Sequence, residues 1–227
     1  MMNFNQNAEY DVICLGRSTV DIYSLDICEL EYSSKFAKYL GGSPANTAVA
    51  LSKLKNKVGF IGKVSDDGMG RFVKHYLEHQ GIDVSHLLTD TEGHKTGITI
   101  GEIREGGQCY CLMYRDNCAD LYLKASEIDA EYIKKAKALL VSGTSLSQSP
   151  AKEAVIKAVS IAKDANVTVI FDPDFRKDTW SSEWLAGIYL ADMAVKSDII
   201  IGTEEEFQII YNFLSYLFEN NDSKDKY

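Results

Sequence analysis

The feature that most limits how this chain can fold is an alternation of strand-like and helix-like segments that persists for most of its length. Alternation of this kind favours parallel strands joined by helical crossovers, with helices layered on the sheet. The first strand reads as Tyr10 to Gly16. A helix is expected at Ser43 to Leu54, with Ser43 as N-cap and Pro44 at the first helical position, where a missing N–H costs nothing. A short strand, Lys57 to Ile61, follows it. Asp67 to Gln80 sets Met69, Phe72, Val73, Tyr76 and Leu77 on one helical face, and Gly81 supplies the stop. Three more pairs complete the series: Ser126 to Ala136 with Ala138 to Ser142, Pro150 to Ala165 with Val167 to Phe171, and Ser182 to Val195 with Asp198 to Ile201. The expected fold class is an α/β three-layer sandwich with a mostly parallel sheet.

One segment breaks the rhythm. Lys95 to Arg104 and Gln108 to Tyr114 are β-rich runs joined by Glu105, Gly106 and Gly107, the signature of a hairpin rather than of a crossover. The second run is apolar on both faces, with Cys109, Cys111 and Met113 on one and Tyr110, Leu112 and Tyr114 on the other. Such a hairpin needs cover on two sides, from the body of the protein or a ligand and from a second subunit; an internal strand of the main sheet is the other reading. Residues 219–227 form a polar tail with no apolar period, expected to fray.

Charge and cysteine usage narrow the partners. The chain of 227 residues has 24 Lys and Arg against 33 Asp and Glu, a net charge of −9 that repels nucleic-acid phosphates. No apolar run reaches the 18 or so residues that span a bilayer, and the first eight residues lack the pattern of a signal peptide, so the expectation is a cytoplasmic protein bound to neither membrane nor nucleic acid. Five cysteines are an odd number in a chain too large to need disulfide staples, which points to reduced thiols. Cys109-x-Cys111 puts two thiols on one strand face, with no further ligands near enough in sequence to complete a zinc site.

Several runs could carry chemistry. Gly41-Gly42-Ser43-Pro44-Ala45-Asn46 places two glycines before a capped helix, so a polar ligand can approach the backbone and meet free N–H groups there, with Asn46 one turn inside. Asp21 follows the first strand by five residues and suits paired hydroxyls of a sugar. Asp172-Pro173-Asp174-Phe175-Arg176 sits past another strand in a proline-fixed turn, and Arg176 can fork onto a carboxylate or a phosphate, as Arg115 can after the hairpin. His75-Tyr76-Leu77-Glu78-His79 matches a zinc-peptidase pattern literally, but its Glu78 falls on the polar side with Arg71 and Lys74, as on an ordinary surface helix.

Taken together, the Gly-Gly-x-x-x-Asn run, Gly59, Asp66-Asp67-Gly68-Met69-Gly70 and Asp172 to Arg176 resemble the PfkB-type, ribokinase-like carbohydrate kinases, over about Tyr10 to Phe207. Met113 to Asp120, together with Asp172 to Arg176 and Trp180, is most similar to kinases of keto-deoxy sugar acids. The resemblance implies a single ribokinase-like domain over residues 1–227, incomplete at its C-terminal end, with a small β lid that includes about residues 95–114. It implies ATP-dependent transfer, with Mg2+, to a primary hydroxyl of a small sugar acid. Asp21, Gly41, Gly42 and Asn46 would hold the sugar hydroxyls, Arg115 and Arg176 the acid end or the travelling phosphate, and the lid would serve as a homodimer contact. Two departures qualify it. Thr203-Glu204-Glu205-Glu206 stands where the family has Asn-x-x-Glu, so Glu206 keeps the magnesium-associated carboxylate but the Asn is lost. The Gly-Ala-Gly-Asp motif, whose Asp is the family's general base and whose N–H groups form its anion hole, occurs nowhere in the 227 residues. The nucleotide pocket is therefore expected to be largely missing and the chain inactive as given; a sugar-binding or interaction fragment without catalysis is the alternative.

Overall fold

A computed structural model describes residues 8–221, which fall into two compact units. The N-terminal unit, Tyr10–Leu123, contains β1 (Tyr10–Leu15), β2 (Thr19–Ile27), β3 (Phe36–Gly41), α1 (Ser43–Lys53), β4 (Val58–Ser65), α2 (Gly68–His79), β5 (Asp83–Asp90), β6 (Ile98–Ile103) and β7 (Cys109–Tyr114). Here β1, β4 and β5 are neighbouring parallel strands, with Val12 opposite Val58 and Val64 opposite Thr89. β1 and β4 carry continuous apolar runs, Ile13-Cys14-Leu15 and Val58 to Gly62, as expected of strands covered on both faces, and Lys63 after the second is buried as well. α1 and α2 pack on them, burying Ala45, Ala48, Val49, Val73 and Leu77.

Four strands in the order β3-β2-β6-β7 form a second sheet in the same unit. β2 runs antiparallel to β3 and parallel to β6, and β6 and β7 form the hairpin expected from sequence, turning at Glu105 to Gly107. The hairpin thus lies outside the main sheet, and the reading of an internal strand is corrected. Its first strand begins at Ile98 rather than Lys95.

The C-terminal unit contains α3 (Ala130–Ile133), β8 (Ala136–Ser142), α4 (Ala151–Asp164), β9 (Thr168–Asp172), α5 (Glu183–Lys196), β10 (Ile199–Ile200) and α6 (Glu204–Asn221). β8, β9 and β10 are again parallel. Ala154, Val155, Ala158, Val159 and Ala162 make one buried stripe of α4, whose small side chains let the helix lie close to β8 and β9.

Boundaries differ from the sequence reading for identifiable reasons. Gly42, at φ +96°, is the cap of α1 and Ser43 its first residue, because the chain must turn there through a conformation other residues avoid. The expected helix Ser126 to Ala136 is a 3-10 turn followed by the single turn α3, and β8 starts two residues early. β10 is only two residues long. Glu219 to Asn221 continue α6, while 222–227 of the expected tail lie outside the described residues.

Candidate functional site

The corner between β2, β3 and the start of α1 gathers most of the expected sugar site within the N-terminal unit. Asp21 is not in a loop after β1, as its position suggested, but inside β2, opposite Tyr39 of β3 and Thr99 of β6. A Cβ on Gly41 would fall 2.0 Å from Asp21 Oδ1, so the carboxylate occupies the space that any other residue would fill. A Cβ on Gly42 would meet the Arg17 carbonyl oxygen at 2.5 Å, which shows how closely the entry to α1 is packed on the β1–β2 turn. Burial pushes the Asp21 carboxyl above its ordinary range, partly offset by hydroxyls of Thr19 and Thr99 and by the charge of Arg17. Thr19 Oγ1 donates to Asp21 Oδ1 at 3.2 Å. Asn46 is exposed one turn inside α1, where its N–H donates to the Gly42 carbonyl at 2.9 Å.

Three residues of this corner escaped the sequence reading: Ser18, Thr19 and Thr99. Ser18 Oγ is buried and has no hydrogen-bond partner among the described residues. Small hydroxyls in strand-like runs carry no signal of their own; the β2–β6 register that collects them around Asp21 is a long-range pairing.

The two arginines expected to meet an anion differ sharply. Arg115 is 6% exposed and donates through Nε, at 3.0 Å, and Nη2 to Asp120 Oδ2, forming a buried ion pair. It is therefore committed to Asp120, which is buried in turn. Arg176, in the C-terminal unit, keeps a half-exposed side chain whose Nη2 donates to Asp174 Oδ1 at 2.8 Å. Asp174 itself is buried at the carboxyl ends of β8 and β9, at φ +35°, and accepts from Ser142 Oγ and Thr144 Oγ1 at 3.3 Å each. A buried carboxylate thus holds one end of the Arg176 fork while the guanidinium faces water.

Glu206 is buried, and both of its oxygens are engaged. Oε1 accepts from the Phe175 N–H at 2.8 Å, and Oε2 accepts from the Thr203 N–H at 2.7 Å and its hydroxyl at 3.0 Å. The Glu206 N–H approaches Thr203 Oγ1 at 3.4 Å, completing a reciprocal cap of α6. Thr203 therefore keeps a capping side chain where the family has Asn. The geometry fits Glu206 as a clamp between α6 and the turn before Arg176.

His75, Glu78 and His79 of the peptidase-like pattern are all exposed on α2, and no group of three or more His, Cys, Asp or Glu side chains is placed to hold a metal among the described residues. No helix among them is long and apolar enough to cross a membrane.

Comparison with known proteins agrees with this architecture. Over 210 residues, 92% of its length, the chain is 46% identical to the 5-dehydro-2-deoxygluconokinase of Bacillus licheniformis and spans 65% of that protein. The corresponding protein of Bacillus subtilis is 44% identical, with the same shares covered. The chain therefore spans just under two thirds of the length of these curated relatives. Among solved structures, a PfkB protein from Polaromonas sp. JS666 superposes with a TM-score of 0.82 at 25% identity, covering 88% of this chain and 68% of that one. An uncharacterized sugar kinase from Pyrococcus horikoshii in complex with ATP gives 0.81 at 27% identity, covering 88% and 66%. These likenesses show the ribokinase-like α/β fold. Residues 10–226 match the pfkB family carbohydrate kinase profile, and the chain belongs to that family.

Proposed function

We propose that this chain carries the sugar-acid site of a kinase of the 5-dehydro-2-deoxygluconokinase type, which phosphorylates 5-dehydro-2-deoxygluconate, or the related 2-keto-3-deoxygluconate, with ATP as donor and Mg2+ as its counter-ion. The observation that carries this reading is the half-buried Asp21 carboxylate pressed against the side-chain-free Gly41. Hydrogen bonds to a charged acceptor contribute about 1.5–3 kcal/mol each, so two sugar hydroxyls would act against the desolvation that raises the Asp21 pKa. Ser18 Oγ and the first N–H groups of α1 are further partners for a polyol, and Asn46 lies one turn on. Arg176, steadied by Asp174, suits the acid end of the substrate or the transferring phosphoryl group. The buried Arg115–Asp120 pair serves this site by fixing the chain after the lid, not by touching the ligand.

Mg2+ and ATP would supply charge neutralisation and the phosphoryl group when bound. The residues present supply binding and orientation. No Gly-Ala-Gly-Asp run is found in this sequence, so the 227-residue chain by itself binds the sugar acid without transferring phosphate at a family-like rate. Five unpaired thiols accord with a reducing, cytoplasmic setting. The exposed β7 strand accords with a homodimer contact through the lid.

The test is an assay of purified chain with ATP, Mg2+ and 5-dehydro-2-deoxygluconate, run beside a version extended through a Gly-Ala-Gly-Asp segment taken from a relative. Turnover by the extended protein alone supports the reading. Equal turnover by both overturns the assignment of base and anion hole, and no turnover by either favours a binding module.

A further inference from the structure

Cys109 and Cys111 are exposed on one face of β7 with their sulfurs 3.7 Å apart. Residues two apart on a strand are separated by about 6.8 Å along its axis, so these side chains lean toward each other. Opposite Cys111 stands Gly101, where a Cβ would lie 2.4 Å from the Tyr23 ring and 3.4 Å from Cys111 Sγ. The missing side chain lets Tyr23 reach across from β2, and the Cys111 thiol lies 3.9 Å from its hydroxyl as a donor.

Two chemistries are open to such a pair, and geometry separates them. A disulfide needs the sulfurs at about 2.05 Å and the Cβ atoms within about 4.5 Å. Both cysteines are held in the ladder, opposite Ile103 and Gly101, so closing that bond would break β7 away from β6. A tetrahedral ion bound by two thiolates at about 2.3 Å spans sulfurs about 3.8 Å apart, which the pair already matches without moving the strand.

We propose that Cys109 and Cys111 form a chelating dithiol site for a soft, thiophilic cation of the Cd2+ or Zn2+ class, with water in the remaining coordination positions. On binding, two S–H bonds are replaced by two sulfur–metal bonds, two protons pass to solvent, and no oxidation state changes. The site lies on the same sheet face as Asp21: the row Tyr23–Gly101–Cys111 is the next on that face after the row Asp21–Thr99–Met113. From strand spacings the ion would sit about 14 Å from Asp21, near the sugar corner without overlapping it. This assignment rests on the lid geometry and not on the identity of the sugar.

The test is a titration of the reduced, metal-free protein with Cd2+, followed by the ultraviolet charge-transfer absorbance of cadmium thiolate. One ion per chain is expected. Because the second sulfur binds intramolecularly, C109S and C111S should each weaken binding at least about a hundredfold. C28S, outside the pair, should leave it unchanged, and circular dichroism should show all variants folded, since the pair is exposed. Binding by the C109S/C111S double variant like that of the unmodified chain would overturn the proposal. So would single variants within about threefold of it, since a chelate cannot lose one arm at so small a cost, or a stoichiometry of one ion per two chains.

Discussion

Asp21 stands under two opposed demands. Its carboxylate is desolvated by the β2–β3 corner, which disfavours the charged form, yet that charge is what a polyol would bind. A carboxyl whose folded pKa is raised favours the folded state most below its unfolded pKa of 3.8, and that contribution is lost as pH rises through the folded value. At pH 7 the residue is thus a net liability to the empty protein. Asp21→Asn should raise the melting temperature by about 1–2 °C while weakening sugar binding, the usual conflict between stability and function. Thermal melts at pH 7 check the first half. The arginines make a second contrast. Arg115→Met leaves Asp120 buried without its partner and should cost about 3–5 kcal/mol in denaturant unfolding. Arg176→Met removes a half-exposed group and should cost much less, while abolishing preference for an acidic over a neutral sugar. The sequence shows both arginines at strand ends and cannot tell them apart, because the distinguishing fact is whether an aspartate five residues on folds back against the guanidinium.

At the scale of elements, legibility followed local signals. α2 was readable at both ends because its cap is local: the Asp67 side chain accepts from Met69 and Gly70 N–H, and Gly81 adopts φ +77° past the last turn. Burial works to raise the Asp67 carboxyl, but Ser65, the two N–H groups and Lys95 outweigh it and hold it below its ordinary value. Its stabilising contribution is complete above the unfolded pKa of 3.8 and is lost as pH falls through the lower folded value. Asp67→Ala should therefore cost about 1–2 kcal/mol at neutral pH, with the gap to the unmodified protein closing below about pH 4. Urea unfolding at pH 7 and pH 3 measures both. The strands β2, β3 and β5 were missed. In β5, Asp83 to Asp90, polar residues occupy most exposed positions and only Val84, Leu87 and Asp90 are buried, so neither alternation nor an apolar run marks it. β2 carries Asp21, Ser24 and Asp26 among its apolar residues, and its identity as a strand comes from pairing with β3 and β6.

Among the described residues, both units expose large apolar side chains. β7 is exposed along its entire length, and Tyr110, Leu112, Met113 and Tyr114 are each 40% exposed or more. In the C-terminal unit Trp184, Phe207, Tyr211, Tyr216, Leu217 and Phe218 are also exposed, whereas Ile210 is buried. Surfaces of this kind associate. Light scattering should show concentration-dependent self-association, reduced by Leu112→Lys in β7 if the lid strand is the contact; a strict monomer at high concentration would count against it. Fold class and family were legible in the sequence because alternation and the Gly-Gly-x-x-x-Asn run are local patterns. Of the expected site, the strand holding Asp21, the burial of Arg115 and the contacts of Glu206 were not legible, because they depend on contacts between distant segments. Calorimetric titration of 5-dehydro-2-deoxygluconate into the unmodified chain and into Asp21→Asn tests most directly whether Asp21 is the sugar-binding carboxylate. One binding event per chain is expected, weakened at least about thirtyfold in the variant through loss of hydrogen bonds to a charged acceptor. Equal affinity in both proteins, or no binding to the unmodified chain, would contradict it.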